Sequence, residues 1–215
     1  MGREMLSSSK YIKTVPFNSL VNWSVQYLDE TRIAFNTTYP LVRIGNFLKR
    51  NKTAIQIKDN ATYKRATIKV RNGGIFLRDE KIGAEIGTKN QFIISEGQFL
   101  LSKIDARNGA FGVVPKELDG GIITGNFWTF DVDFSKVNPF YLSLLVTTSE
   151  FIQLCEQASN GTTNRHYLQE SIFLDMKIPL PHLDDQNALV ASYNGCIAIA
   201  EAQETQAHDI EQQIG

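Results

Sequence analysis

The chain has 215 residues, 42% apolar and 21% charged, with a net charge of −1. That composition fits one large globular domain or one domain with an appendage, and no apolar run approaches the roughly 18 residues that span a bilayer. The N-terminus carries no long apolar core of a secretory signal, and Cys155 and Cys196 lie far apart without a CxxC neighbour, as expected of two structural thiols in a reducing cytoplasm.

Charge is segregated along the chain. Residues 1–42 carry a net +1, residues 43–107 a net +8 and residues 108–215 a net −10. Such asymmetry suggests a basic face for a polyanion and an acidic, solubilising remainder. The other reading is segregation in sequence that mixes in space.

From about residue 41 the pattern is of short strands. Segments 67–70 and 75–78 flank the turn signal Arg71-Asn72-Gly73-Gly74, segments 91–95 and 98–104 flank Glu96-Gly97, and segments 121–124 and 127–133 flank Gly125-Asn126. The segment 98–104 also runs into a polar turn with Lys103, Asp105, Arg107 and Asn108, after which the strand 111–114 stops at Pro115. These units predict a curled, mainly antiparallel sheet. Asn138 then caps, and Pro139 opens, an amphipathic helix over 139–157. A polar loop over 159–166 and a short strand over 172–178 follow.

The last element is a helix over 183–214, with no proline and a single glycine. Leu189, Tyr193, Cys196, Ala200, Gln203, Ala207, Ile210 and Ile214 step alternately by four and three residues, a heptad seam with a polar break at Gln203. About 30 helical residues span roughly 45 Å, long for packing on a small body. The helix either pairs with another helix or folds back on the domain. The fold class is α/β of the α+β type: a sheet body with packed helices, then one long coiled-coil-type helix.

Catalytic chemistry is poorly supplied. His166, His182 and His208 are isolated, no Gly-x-Ser-x-Gly elbow or phosphate-binding loop occurs, and the carboxylates Asp79 and Glu80 beside Lys81 make no convincing metal nuclease centre. Asn138-Pro139-Phe140-Tyr141 resembles the Asn-Pro-Pro-aromatic motif of DNA amino-methyltransferases but lacks the second proline, and reads better as a helix start. No catalytic residue, metal ligand or bound cofactor is assigned.

Binding chemistry is better supplied, in three segments. The first holds Lys64, Arg65, Lys69, Arg71, Asn72 and Arg78, the second Lys103, Asp105, Arg107 and Asn108, and the third Asn160, Thr162, Thr163, Asn164 and Arg165. Lys and Arg neutralise phosphates, and Arg, Asn and Thr read base edges. The bland alternative for each is a solvated turn. Tyr63 and Trp128 either stack on a base or pack in the core.

Four stretches carry a resemblance. They are Arg71-Asn72-Gly73-Gly74, the segment Ser102 to Gly109, the Ser-x-Gly-Thr-x-x-Arg pattern of residues 159–165, and Ile178-Pro179-Leu180-Pro181 followed by Gln186. In order and spacing the chain resembles the specificity subunit of type I restriction–modification systems over roughly residues 40–215, while residues 1–39 match little. The resemblance implies a DNA target-recognition domain over 1–182 and a spacer helix over 183–215. It implies a non-catalytic subunit whose loops enter the major groove of double-stranded DNA and read half of a split target. Its partners are DNA methyltransferase subunits, which carry S-adenosylmethionine, and in some systems a restriction subunit. With one recognition domain and one helix, the chain is either a half-length subunit that forms a homodimer or a piece that works beside a second recognition domain. The alternatives are the recognition portion of a larger restriction–methylation enzyme, or a protein–protein adaptor that uses the terminal helix, with the basic loops incidental.

Overall fold

The structure is a computed structural model that describes residues 35–162 and 165–214, with the side chains of residues 160–166, 213 and 214 outside the description. The described chain opens with β1 (Leu41–Arg43), β2 (Leu48–Asn51), β3 (Ala54–Gln56), β4 (Thr62–Ile68) and β5 (Ile75–Ile82). It continues through β6 (Asn90–Ile93), β7 (Phe99–Ser102), β8 (Phe111–Val113), β9 (Ile122–Ile123) and β10 (Phe127–Val132). Then come α1 (Pro139–Leu145), α2 (Ser149–Gln157), β11 (Ser159–Thr162), β12 (Arg165–Leu168), α3 (Glu170–Asp175), β13 (Lys177–Pro179) and α4 (Leu183–Ile214).

The strands form a five-stranded sheet ordered β3-β6-β9-β4-β5, a four-stranded sheet ordered β2-β10-β7-β8, and the pairs β1-β13 and β11-β12. The short β4–β9 contact is parallel and the remaining ladders are antiparallel. The expected class therefore holds: mainly antiparallel sheet, packed helices and one long C-terminal helix.

Strand β7 shows why there are two large sheets. Phe99 and Leu101 enter one apolar cluster while Leu100 enters another, and all three are fully buried. A strand apolar on both faces needs a layer on each side. The larger cluster is built on aromatic rings: Phe173 lies 5.5 Å from Phe130 and 6.5 Å from both Phe99 and Phe151.

The hairpin across residues 69–74 and the strand–turn–strand unit through residues 103–110 form as expected, as β4–β5 and β7–β8. The other two expected hairpins do not. At Glu96-Gly97 the chain leaves β6 in the five-stranded sheet and enters β7 in the four-stranded one, and at Gly125-Asn126 it makes the same passage from β9 to β10. Both turns are tight, with Gln98 N–H donating to Ser95 C=O at 3.2 Å and Phe127 N–H to Thr124 C=O at 3.1 Å. Long-range bonds set the pairing: Gly97 N–H donates to Val114 C=O, and Ile94 exchanges bonds with Gly120 and Gly121.

Three further elements differ from expectation. The helix over 139–157 is two helices, because the Thr148 hydroxyl accepts from Phe151 N–H and caps α2. The polar loop over 159–166 is the hairpin β11–β12. The strand over 172–178 is helix α3 followed by β13, since the continuous apolar run Ile172-Phe173-Leu174 has no alternation and its Phe173 fills the aromatic core. Helix α4 runs as expected, and its described residues from 191 to 212 are all exposed.

Candidate nucleic-acid interface

The turn between β4 and β5 and the turn between β7 and β8 meet. Arg71 N–H donates to Asn108 C=O at 2.6 Å, and Asn72 N–H donates to Gly109 C=O at 3.0 Å. Gly109 has a φ of +73°, and a Cβ there would lie 2.6 Å from Asn72 Oδ1, so both conformation and space require glycine. The β11–β12 hairpin joins through β12: Leu168 N–H donates to Lys103 C=O at 2.8 Å, and Lys103 Nζ sits 5.9 Å from the Tyr167 ring centroid. Segments picked separately for their chemistry are thus joined through residues 103–109.

The second turn builds itself from its polar residues. Asp105 Oδ1 accepts from Asn108 Nδ2 at 3.2 Å, Asp105 N–H donates to Ser102 Oγ at 3.2 Å, and residues 106–108 close a short 3-10 turn ending at Gly109. Asp105 is a turn-former here. Arg107 is half-buried, and its Nε has no acceptor among the described residues.

The cations of the first segment divide. Arg65 makes a bidentate pair with Asp79, which raises the arginine pKa and lowers that of the carboxyl, chiefly through the shared hydrogen bonds. The Arg65 guanidinium is therefore occupied within the fold. Arg78, the extra residue at the β-bulge opposite Arg65 and Ala66, is exposed with its Nε 3.8 Å from Asp79. Lys64 Nζ donates to Glu117 C=O at 3.2 Å, and Lys69 Nζ lies 5.9 Å from the Phe76 ring. Arg71 and Asn72 are exposed, with Asn72 Nδ2 3.4 Å from Thr147 C=O. The side chains of Asn160, Thr162, Thr163, Asn164 and Arg165 lie outside the described residues.

Tyr63 and Trp128 are packing residues. Tyr63 Oη accepts from Lys58 N–H at 3.0 Å. Trp128 meets Phe130 edge to face, and the Arg50 guanidinium lies 5.7 Å from its ring. Arg50 also donates to Thr129 C=O at 2.8 Å and approaches Glu170 at 3.6 Å. Burial lowers its pKa, and Glu170 opposes that shift. Arg50 and Tyr167 were not singled out by the sequence, because a cation beneath a tryptophan and an aromatic beneath a lysine depend on strands far apart in the chain.

Of the proposed seam, Leu189, Tyr193, Cys196, Ala200, Ala207 and Ile210 are all exposed along α4, whereas Val190 and Gln186 are buried against the body. Ile214 has no described side chain. Among the described residues no group of three or more His, Cys, Asp or Glu could hold a metal ion, and no helix is long and apolar enough to cross a membrane.

Residues 28–202 match the family model described as the type I restriction modification DNA specificity domain. No curated protein sequence matches the chain. Among solved structures, the chain is similar to the HsdS subunit from Thermoanaerobacter tengcongensis, with 18% identity, a TM-score of 0.61, and 83% of this chain and 47% of that one covered. It is likewise similar to a chain from a structure of type I restriction–modification complex assembly and conformational transition, with 20% identity, a TM-score of 0.62, and 79% and 45% covered. The matched region thus spans a little under half the length of those chains, and at these identities the likeness shows the fold.

Proposed function

Since the chain belongs to the type I restriction–modification DNA specificity family, we propose that it is a non-catalytic specificity subunit that recognises one half of a split double-stranded DNA target and directs a partner methyltransferase to it. The observation that carries this reading is the joining of the three loop segments: Arg71 and Asn72 bond to Asn108 and Gly109, and Lys103 bonds to Leu168. A hydrogen-bonded group of loops rich in Lys, Arg and Asn suits the major groove, where phosphate contacts position and base contacts specify.

In this reading residues 1–182 form the recognition domain and residues 183–215 the spacer helix. The exposed seam of α4 pairs with a second copy or with the helix of a second recognition domain. S-adenosylmethionine belongs to the methyltransferase, a restriction subunit joins in some assemblies, and the work is done in the cytoplasm.

The test is methylation-aware sequencing of DNA from cells that express this chain with the methyltransferase encoded beside it, against cells with the methyltransferase alone. A new split, palindromic motif is the expected outcome for a symmetric pair, and an asymmetric motif for a chain working beside a second domain. The absence of any chain-dependent motif would refute the reading and favour an adaptor that uses only the exposed face of α4.

A further inference from the structure

The turn between β4 and β5 is built in a costly way. Arg71 and Asn72 have φ values of 58° and 57°, and Gly73 N–H donates to Val70 C=O at 3.3 Å, so Arg71 and Asn72 are its two central residues. A tight hairpin turn with positive φ at both centres favours Asn followed by Gly. That dipeptide exists one position later, as Asn72-Gly73, and is not at the centre. An arginine in the left-handed region is uncommon and strained.

The second turn holds the first in this disfavoured register. Arg71 and Asn72 donate their N–H groups to Asn108 and Gly109, and Gly109 leaves the space that the Asn72 side chain fills. Strain maintained by the surroundings points to a function for the strained residue. Of the described lysines and arginines in these loops, Arg65 is taken by Asp79, Lys64 by Glu117 C=O, Lys69 and Lys103 lie over rings, Arg78 lies 3.8 Å from Asp79, and Arg107 is half-buried with its Nε unpartnered among the described residues. Arg71 is exposed, and no acceptor among the described residues engages its guanidinium.

Resting on the DNA-recognition reading above, we infer that Arg71 is a specificity-determining residue whose guanidinium reads a guanine edge in the major groove, with Asn72 and Gly109 as its positioning residues. A guanidinium fork matches the two acceptors of guanine, the commonest specific contact of this kind.

The test compares wild type with the double variant Arg71→Asn, Asn72→Gly, each expressed with the methyltransferase encoded beside the chain. The variant places Asn-Gly at the turn centre. It is expected to melt roughly 2–4 °C higher and to relax one guanine position in the methylated motif. Arg71→Lys, which keeps charge without the fork, should relax the same position, and Gly109→Ala should relax it with Arg71 still present. An unchanged motif with uniformly weaker methylation would mean that Arg71 grips a phosphate, and overturns the assignment. So does an unchanged motif at full methylation. A lower melting temperature overturns the strain argument. If the wild type itself gives no chain-dependent motif, the DNA-recognition reading fails first, and the inference with it.

Discussion

Gln186 Oε1 accepts a hydrogen bond from the Asn138 backbone N–H at 2.8 Å, joining the first turn of α4 to the residue that caps α1. The Gln186 side chain is fully buried, and its Nε2 donates to Lys136 C=O at 2.9 Å and to Pro181 C=O at 2.8 Å. One amide therefore pairs three backbone groups, the Asn138 N–H that caps α1, the Lys136 carbonyl before it and the Pro181 carbonyl ahead of α4. Asn138 reinforces the joint, its Nδ2 donating to Asn187 Oδ1 at 2.7 Å.

Replacing Gln186 by leucine keeps the bulk and strands those three groups. The expected loss is at least about 2 kcal/mol, since each buried unpaired group costs about 1–3 kcal/mol. Urea unfolding of wild type and Gln186→Leu measures it, and equal midpoints would show that the joint contributes little.

Phe173 stands at the centre of the aromatic cluster, against Phe99, Phe130 and Phe151. Phe173→Ala is expected to cost about 3–5 kcal/mol, the range for emptying a large core ring. A loss below about 1 kcal/mol in equilibrium unfolding would contradict the placement of α3.

Asp133 gives a pH signature. Its carboxylate is held by Lys136 Nζ at 2.7 Å and by Ser135, which push its pKa down from 3.8 to about 2. In acid the unfolded chain binds this proton first, so the contribution is fully present above pH 3.8 and is lost as the pH falls to about 2. The difference in melting temperature between wild type and Asp133→Asn should shrink across that window. A difference that stays constant down to pH 2 would mean the carboxylate is not held as described.

Tyr193 and Ile210 lie exposed on the seam of α4. If that seam pairs, Tyr193→Glu with Ile210→Glu should halve the mass of a homodimer in light scattering while the circular dichroism of the body is kept. An unchanged mass would remove the pairing of α4 along this face.

The two cysteines separate by burial. Cys155 is fully buried, and burial pushes its thiol pKa up, whereas Cys196 is exposed on α4. In the native chain a thiol reagent should modify Cys196 and spare Cys155 until unfolding. Rapid native modification of both, read by mass spectrometry, would show that the α2 core opens.

Features set by neighbours in sequence could be read from the sequence alone. The hairpin at residues 69–74, the β7–β8 unit, the cap at Asn138 and the run of α4 each rest on turn residues, capping groups or heptad spacing within a few positions. The choice of sheet did not follow from such signals. Phe99, Leu100 and Leu101 form an unbroken apolar run, which cannot say which face meets which layer. Only long-range bonds such as Gly97 to Val114 send β7 into a different sheet from β6. The same ambiguity made α3 look like a strand. In the candidate interface, the kinds of residue were legible, but the contact of Asn72 with Gly109 and the pairing of Arg65 with Asp79 were not. Hydrogen bonds between segments distant along the chain exist only after the sheets have packed, so tertiary structure decided which cations are occupied within the fold and that Arg71 is exposed.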